Sequence, residues 1–184
     1  RYRVCQSFLG AKLHDAKDPG ADLSAMLHQV VGSVFLLMKE YEPVWAAQSG
    51  SRPCDLFGFR FDVGLDPIEV NLERMLTIFV KGAGELQEIW AQALEPGTHD
   101  TLRKLARVAA SQPAHFHIED SLWTRVVMDF ACAYRHRRAA PGHLLRSLTP
   151  LYLARVASFV IETRTMVSSE VEQRIEEFCG SFER

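Results

Sequence analysis

The sequence predicts a mainly α-helical fold: a bundle of about six helices behind a short strand-and-loop leader. Two observations carry that expectation. From about Ala21 onward, apolar residues recur at three- and four-residue intervals, as in Leu23, Met26, Leu27, Val30, Val31, Val34, Phe35 and Met38. Helix stop signals also punctuate the chain, at Ser49-Gly50, Glu95-Pro96-Gly97, Pro113 and Pro141-Gly142. Before residue 21 the pattern differs. "RYRVCQSFLGAKLH" begins like a strand, then meets a glycine, and Asp18-Pro19-Gly20 is a turn.

The elements follow in order. The first helix starts near Asp22 or Ser24, either of which can cap it, and runs to about Ala47 past Pro43. Residues 51–70 are irregular, broken by Pro53, Gly58, Gly64 and Pro67, with strand-like alternation over 57–63. Asn71 caps a second helix that Gly82 and Gly84 are expected to divide. Thr98 caps a third. Glu119 and Asp120 open a fourth, whose last turn and its flank carry Arg135, Arg137 and Arg138, cations that suit a helix C-terminus. "HLLRSL" reads as a short turn, and Thr149-Pro150 as the start of a separate helix. Ser169 and Glu172 have the spacing of a capping box for the last helix.

Composition excludes several functions. Of 184 residues, 47% are hydrophobic, enough for a core without disulfides or metals. The net charge of −2 argues against a nucleic-acid partner. No apolar run is expected to span a membrane, and no signal peptide is visible. Cys5, Cys54, Cys132 and Cys179 form no CxxC pair and read as free thiols of a cytoplasmic protein.

Few residues suggest chemistry. His115 and His117 lie two apart and offer two metal ligands, though a solvated loop is the plainer reading. His28 sits beside the first apolar stripe and reads as a half-buried structural histidine. The "YRHRR" run, Tyr134 to Arg138, suits either a phosphate grip or a solvated helix end. Trp45, Trp90 and Trp123 read as packing aromatics. There is no GxSxG, Walker loop, GxGxxG or DxD. In the leader, Gly10 permits close backbone approach, and Lys12 and His14 share one side of an extended segment. Lysine offsets phosphate charge and histidine supplies a neutral nitrogen ligand, so the pair suits a metal-bound diphosphate; an ordinary polar loop is the alternative.

The stretch "FLGAKLHDAKDPGADLSAMLHQVV" resembles the segment that closes the catalytic half of GT-A nucleotide-sugar glycosyltransferases of the glucosyl-3-phosphoglycerate, glucosylglycerate and mannosylglycerate synthase type. There an LG-x-[RK]-x-H motif precedes a helix with M-x-x-Q-V. Leu9, Gly10, Lys12, His14, Met26, Gln29 and Val30 fill those positions. "SLTPLYLARVASFVIET" and "RIEEFCGSFE" are similar to the helical C-terminal region of the same enzymes, by general pattern.

The resemblance implies a division into residues 1–20, the end of a catalytic domain, and residues 21–184, a helical C-terminal domain. It implies retaining transfer of a sugar from a nucleotide-diphosphate donor to a small acceptor such as glycerate or phosphoglycerate. His14 is implied as a ligand of Mg²⁺ or Mn²⁺, with Gly10 and Lys12 at the donor diphosphate. The chain lacks the DxD half, so it is expected to be inactive alone. Ala16 departs from relatives with a polar residue there, which leaves the acceptor open. A homodimer is expected, formed through the apolar final helices. The competing readings are a stand-alone all-helical ligand-binding or dimerisation module and a small helical metal hydrolase. The latter lacks an HxxxH or HD-type set.

Overall fold

The computed structural model describes residues 5–9, 24–48, 50, 54–59 and 70–183. It is mainly helical, as the sequence predicts, with one two-stranded sheet. The order is β1 (Cys5–Ser7), α1 (Ser24–Glu40), α2 (Glu42–Trp45), β2 (Asp55–Phe57), α3 (Leu72–Glu85), α4 (Gln87–Ala93), α5 (Pro96–Ser111), a 3₁₀ turn (Pro113–His115), α6 (Asp120–Arg135), α7 (Pro141–Thr163) and α8 (Ser168–Gly180).

α7 is the central element. It runs unbroken through Pro150, so the expected turn and restart at Thr149 do not occur. Pro141, not Pro150, stands at the helix start, where its missing N–H is not needed. Pro150 is accommodated by Gly82 of α3: a Cβ on Gly82 would lie 2.8 Å from the Pro150 Cβ. Gly82 therefore does not divide α3. Its bare backbone receives the proline ring, and the break falls at Leu86 instead. α7 is also long and apolar enough to cross a membrane by length and composition, contrary to the sequence reading, although much of it is buried inside the fold.

The core lies between α3, α4, α5, α6 and α7. Phe79 packs between Trp90 and Phe116, with ring centroids 6.4 and 5.6 Å away. The Trp90 indole N–H donates to the Ser147 carbonyl at 2.9 Å, which satisfies its one polar atom at full burial. Trp123 is buried as expected, but Trp45 is exposed, its indole N–H donating to the Met38 carbonyl.

The helix ends correct several expectations. α5 begins at Pro96 with Glu95 before it, and Thr98 is buried one turn inside rather than capping. The Glu95 N–H donates instead to the Asp129 carboxylate of α6. α8 begins one residue before Ser169: the Glu170 carboxylate accepts from the Val167 N–H, half of a capping box, and valine cannot supply the other half. α1 stops at Glu40, and Pro43 lies in the first turn of the separate α2. Asn71 caps α3 as predicted, accepting from the Arg74 N–H.

On α1 the inward face is His28, Val31, Gly32, Phe35 and Met38. Met26, Val30 and Val34, expected to face the core, point outward and are exposed.

Candidate functional site

β1 and β2 pair in parallel, with Cys5 opposite Asp55, Gln6 opposite Leu56 and Ser7 opposite Phe57. The Phe8 N–H donates to the Phe57 carbonyl at 2.9 Å and extends the ladder. The carboxyl ends of both strands therefore lie side by side. In open α/β sheets that end is where ligands bind. Among the described residues of the 51–70 stretch the strand is Asp55–Phe57, which starts before the expected 57–63; residues 60–63 of that expectation lie outside the described residues.

The predicted leader residues Gly10, Lys12 and His14 lie outside the described residues. What the structure places is their anchor: the strand that delivers Gly10 ends at Ser7, and Phe8 and Leu9 follow it. Gly58 is the neighbour that sequence reasoning passed over as punctuation. Its φ is +91°, and a Cβ there would sit 2.9 Å from the Phe8 carbonyl oxygen. Only glycine lets the chain leave β2 this close to β1. The signal was the "FGF" break inside an alternating stretch.

Elsewhere the chemistry is structural. Asp120, at the start of α6, accepts from Arg155 of α7 at 2.7 Å and from Arg174 of α8 at 2.8 Å; Arg174 also pairs with Glu162. Arg155 is almost fully buried and donates as well to the Ile118 carbonyl, and its guanidinium lies 4.6 Å from the Phe178 ring centroid. Hydrogen bonding from Arg174 is the main reason the Asp120 carboxyl is held below its ordinary range; burial opposes it. Burial lowers the Arg155 pKa, and the two carboxylates raise that of Arg174.

The Arg155 bond and a second one, from the Ile118 N–H to the Ser158 hydroxyl, pin the strand-like stretch 116–118. Phe116 and Ile118 point into the core, so His115 and His117 face outward. His117 meets Glu119 at 3.5 Å. Among the described residues no group of three His, Cys, Asp or Glu could hold a metal.

The "YRHRR" cluster ends a helix. Arg138 N–H donates to the Ala133 carbonyl and Arg137 N–H to that of Tyr134, the paired bonds of a Schellman turn. Arg137 takes the left-handed position with φ 52°. Arg135 pairs with Glu42 of α2. His28 is half-buried as expected, its Nε2 3.0 Å from the Thr149 hydroxyl; burial, then Arg146, lowers its pKa.

A separate cavity of about 570 Å³ opens between α3, α5 and the end of α7. Leu72, Leu76, Val80, Ala109 and Ile161 line it, with Arg164 and Glu73 also in the wall.

No family model, no curated protein and no solved structure matches this chain.

Proposed function

We propose that the chain is the helical C-terminal portion of a retaining, metal-dependent glycosyltransferase. The full enzyme moves a sugar from a nucleotide-diphosphate donor to a small acceptor such as glycerate or phosphoglycerate, in the cytoplasm. One observation supports this reading most: the parallel strand pair. All six strand residues are exposed, and Leu56 and Phe57 present apolar side chains to the open. Parallel strands occur almost only within larger sheets covered on both faces. The pair fits as one margin of such a sheet, supplied by a DxD-bearing half. On this reading Lys12 lies against the donor diphosphate and offsets its charge, and Gly10 lets the backbone approach it. Mg²⁺ or Mn²⁺ prefers oxygen ligands, which a single imidazole does not supply. Among the described residues no group of three His, Cys, Asp or Glu could hold the ion, and on this reading His14 is an added ligand beside the carboxylates of that other half.

The test is sugar transfer by a polypeptide joining this chain to its DxD half, compared with His14→Ala at saturating metal. The expected loss is about 100-fold or more in rate. Turnover equal to wild type removes the leader from the reaction.

A second reading, an all-helical ligand-binding module, is favoured by the cavity, whose volume lies in the range of small-molecule sites. Its occupant would be an apolar molecule with an anionic group for Arg164. A thermal shift with medium-chain fatty acids, lost in Ala109→Trp, is the corresponding test.

A further inference from the structure

α8 is held to the body largely by charge. None of its side chains is fully buried. Val171, Arg174, Phe178 and, just past the helix, Ser181 are half-buried and recur at three- and four-residue steps, so they form one inward stripe. The middle of that stripe is polar. The Arg174 guanidinium bridges two helices of the body: it donates to the Asp120 carboxylate at the start of α6 at 2.8 Å and pairs with Glu162 near the end of α7. The Phe178 ring centroid lies 4.6 Å from the Arg155 guanidinium carbon. The Ser181 and Thr124 hydroxyls are 2.9 Å apart.

The body holds its own partners for the groups that α8 engages. Asp120 accepts from Arg155 at 2.7 Å, Arg155 donates to the Ile118 carbonyl, and the Thr124 hydroxyl donates to the Asp120 carbonyl. Without α8 these bonds remain, and Glu162, at the end of the bundle, turns to water. Departure of α8 therefore orphans no buried group of the body. The core of α7 is untouched by it, because Leu151, Leu153, Ala154 and Ala157 are buried against other helices. Residues 164–167 join the two helices, and Val167 is extended and exposed.

We propose that α8 is an electrostatic latch: it undocks as one element, turning on residues 164–167, while α3 to α7 stay folded, and dissolved ions set how often it does so. Apolar packing is not weakened by simple salt in this way. Attraction between charges is screened over a Debye length of about 3 Å at 1 M salt, so salt favours the undocked state, in which Arg174 and Glu162 meet ions freely. Once undocked, α8 is a thirteen-residue helix, too short to be stable alone in water. Its amides then exchange with solvent. Opening uncovers Asp120, Arg155 and Glu162. The inference depends on neither functional reading.

Amide hydrogen exchange of the intact chain at low and at molar salt tests the latch. The amides of α8 should be protected at low salt, yet exchange faster than those of α6 and α7. Molar salt should speed them and leave α6 and α7 unchanged. Arg174→Gln should speed α8 by about tenfold or more, since it removes the charge from both ties at once. Glu162→Gln should act in the same direction and less, because the Asp120 tie remains. Gln173→Ala, which removes only an exposed bond to Glu177 within α8, should leave docking as it is. Five results would each overturn the proposal: α8 unprotected in the wild type; α8 exchanging together with α6 and α7 in one step; α8 insensitive to salt or to Arg174→Gln; α6 and α7 loosened by Arg174→Gln as much as α8; or Gln173→Ala matching Arg174→Gln.

Discussion

The two ends of this chain use their apolar residues in opposite ways. From residue 70 to 163 they are consumed: Met75, Phe79, Trp90, Phe116, Val126, Phe130 and Leu144 are essentially inaccessible. Before residue 60 they are displayed: Phe8, Leu9, Leu56, Phe57 and Phe59 on and around the strands, and the outer stripe of α1. Burial of apolar surface is the main driving force of folding, so the first region holds itself together, while the second leaves its apolar side chains uncovered by the described residues. The difference separates a packed body from a margin that contributes little to its own stability.

That contrast makes substitutions in the body costly and specific. The largest effect is expected for Asp120→Ala. It leaves Arg155 buried without its carboxylate and cuts one of the two acidic ties of α8, which should cost about 3–5 kcal/mol in chemical denaturation. Gly82→Ala should cost about 1–3 kcal/mol, because the new methyl meets the Pro150 ring across α3 and α7. Gly84→Ala, two residues on, meets nothing within 4 Å and should instead stabilise by up to about 1 kcal/mol. Opposite signs at neighbouring glycines would show that packing against Pro150, not helix propensity, governs the site. Arg137→Gly should stabilise by about 1 kcal/mol, since glycine takes the left-handed cap position without the Cβ penalty.

The smallest effect is a pH dependence at the seam between the two regions. His28 joins α1 to α7, and its folded pKa lies below the unfolded value. The folded chain therefore holds the neutral ring. Its contribution is complete above the unfolded pKa of about 6.5 and is lost as pH falls through the folded value. Thermal unfolding between pH 8 and 5 should show a decline that His28→Gln makes shallower.

How much of this was legible follows the same division. The helical periods of α3, α6 and the second half of α7 and the Asn71 cap could be read directly, because pattern and tertiary burial agree there. Pro150 misled because its tolerance depends on Gly82, far away in sequence. Gly82 misled for the same reason: its lack of a side chain serves a tertiary contact. On α1, apolar residues occupy nearly the whole circumference, so periodicity alone could not say which face turns inward; His28, Gly32 and Phe35 decide it by packing on α7 and Tyr134. At the candidate site, the glycine in "FGF" was visible, but its closeness to Phe8 required a parallel pairing that no local pattern announces.

The central claim is that the body is self-sufficient and the strand margin is not. Native-state hydrogen exchange of the intact chain tests it most directly. Amides of α3, α6 and α7 should exchange only through global unfolding, while those of β1 and β2 should exchange orders of magnitude faster. Strand amides protected as strongly as the core of α7 would contradict the account.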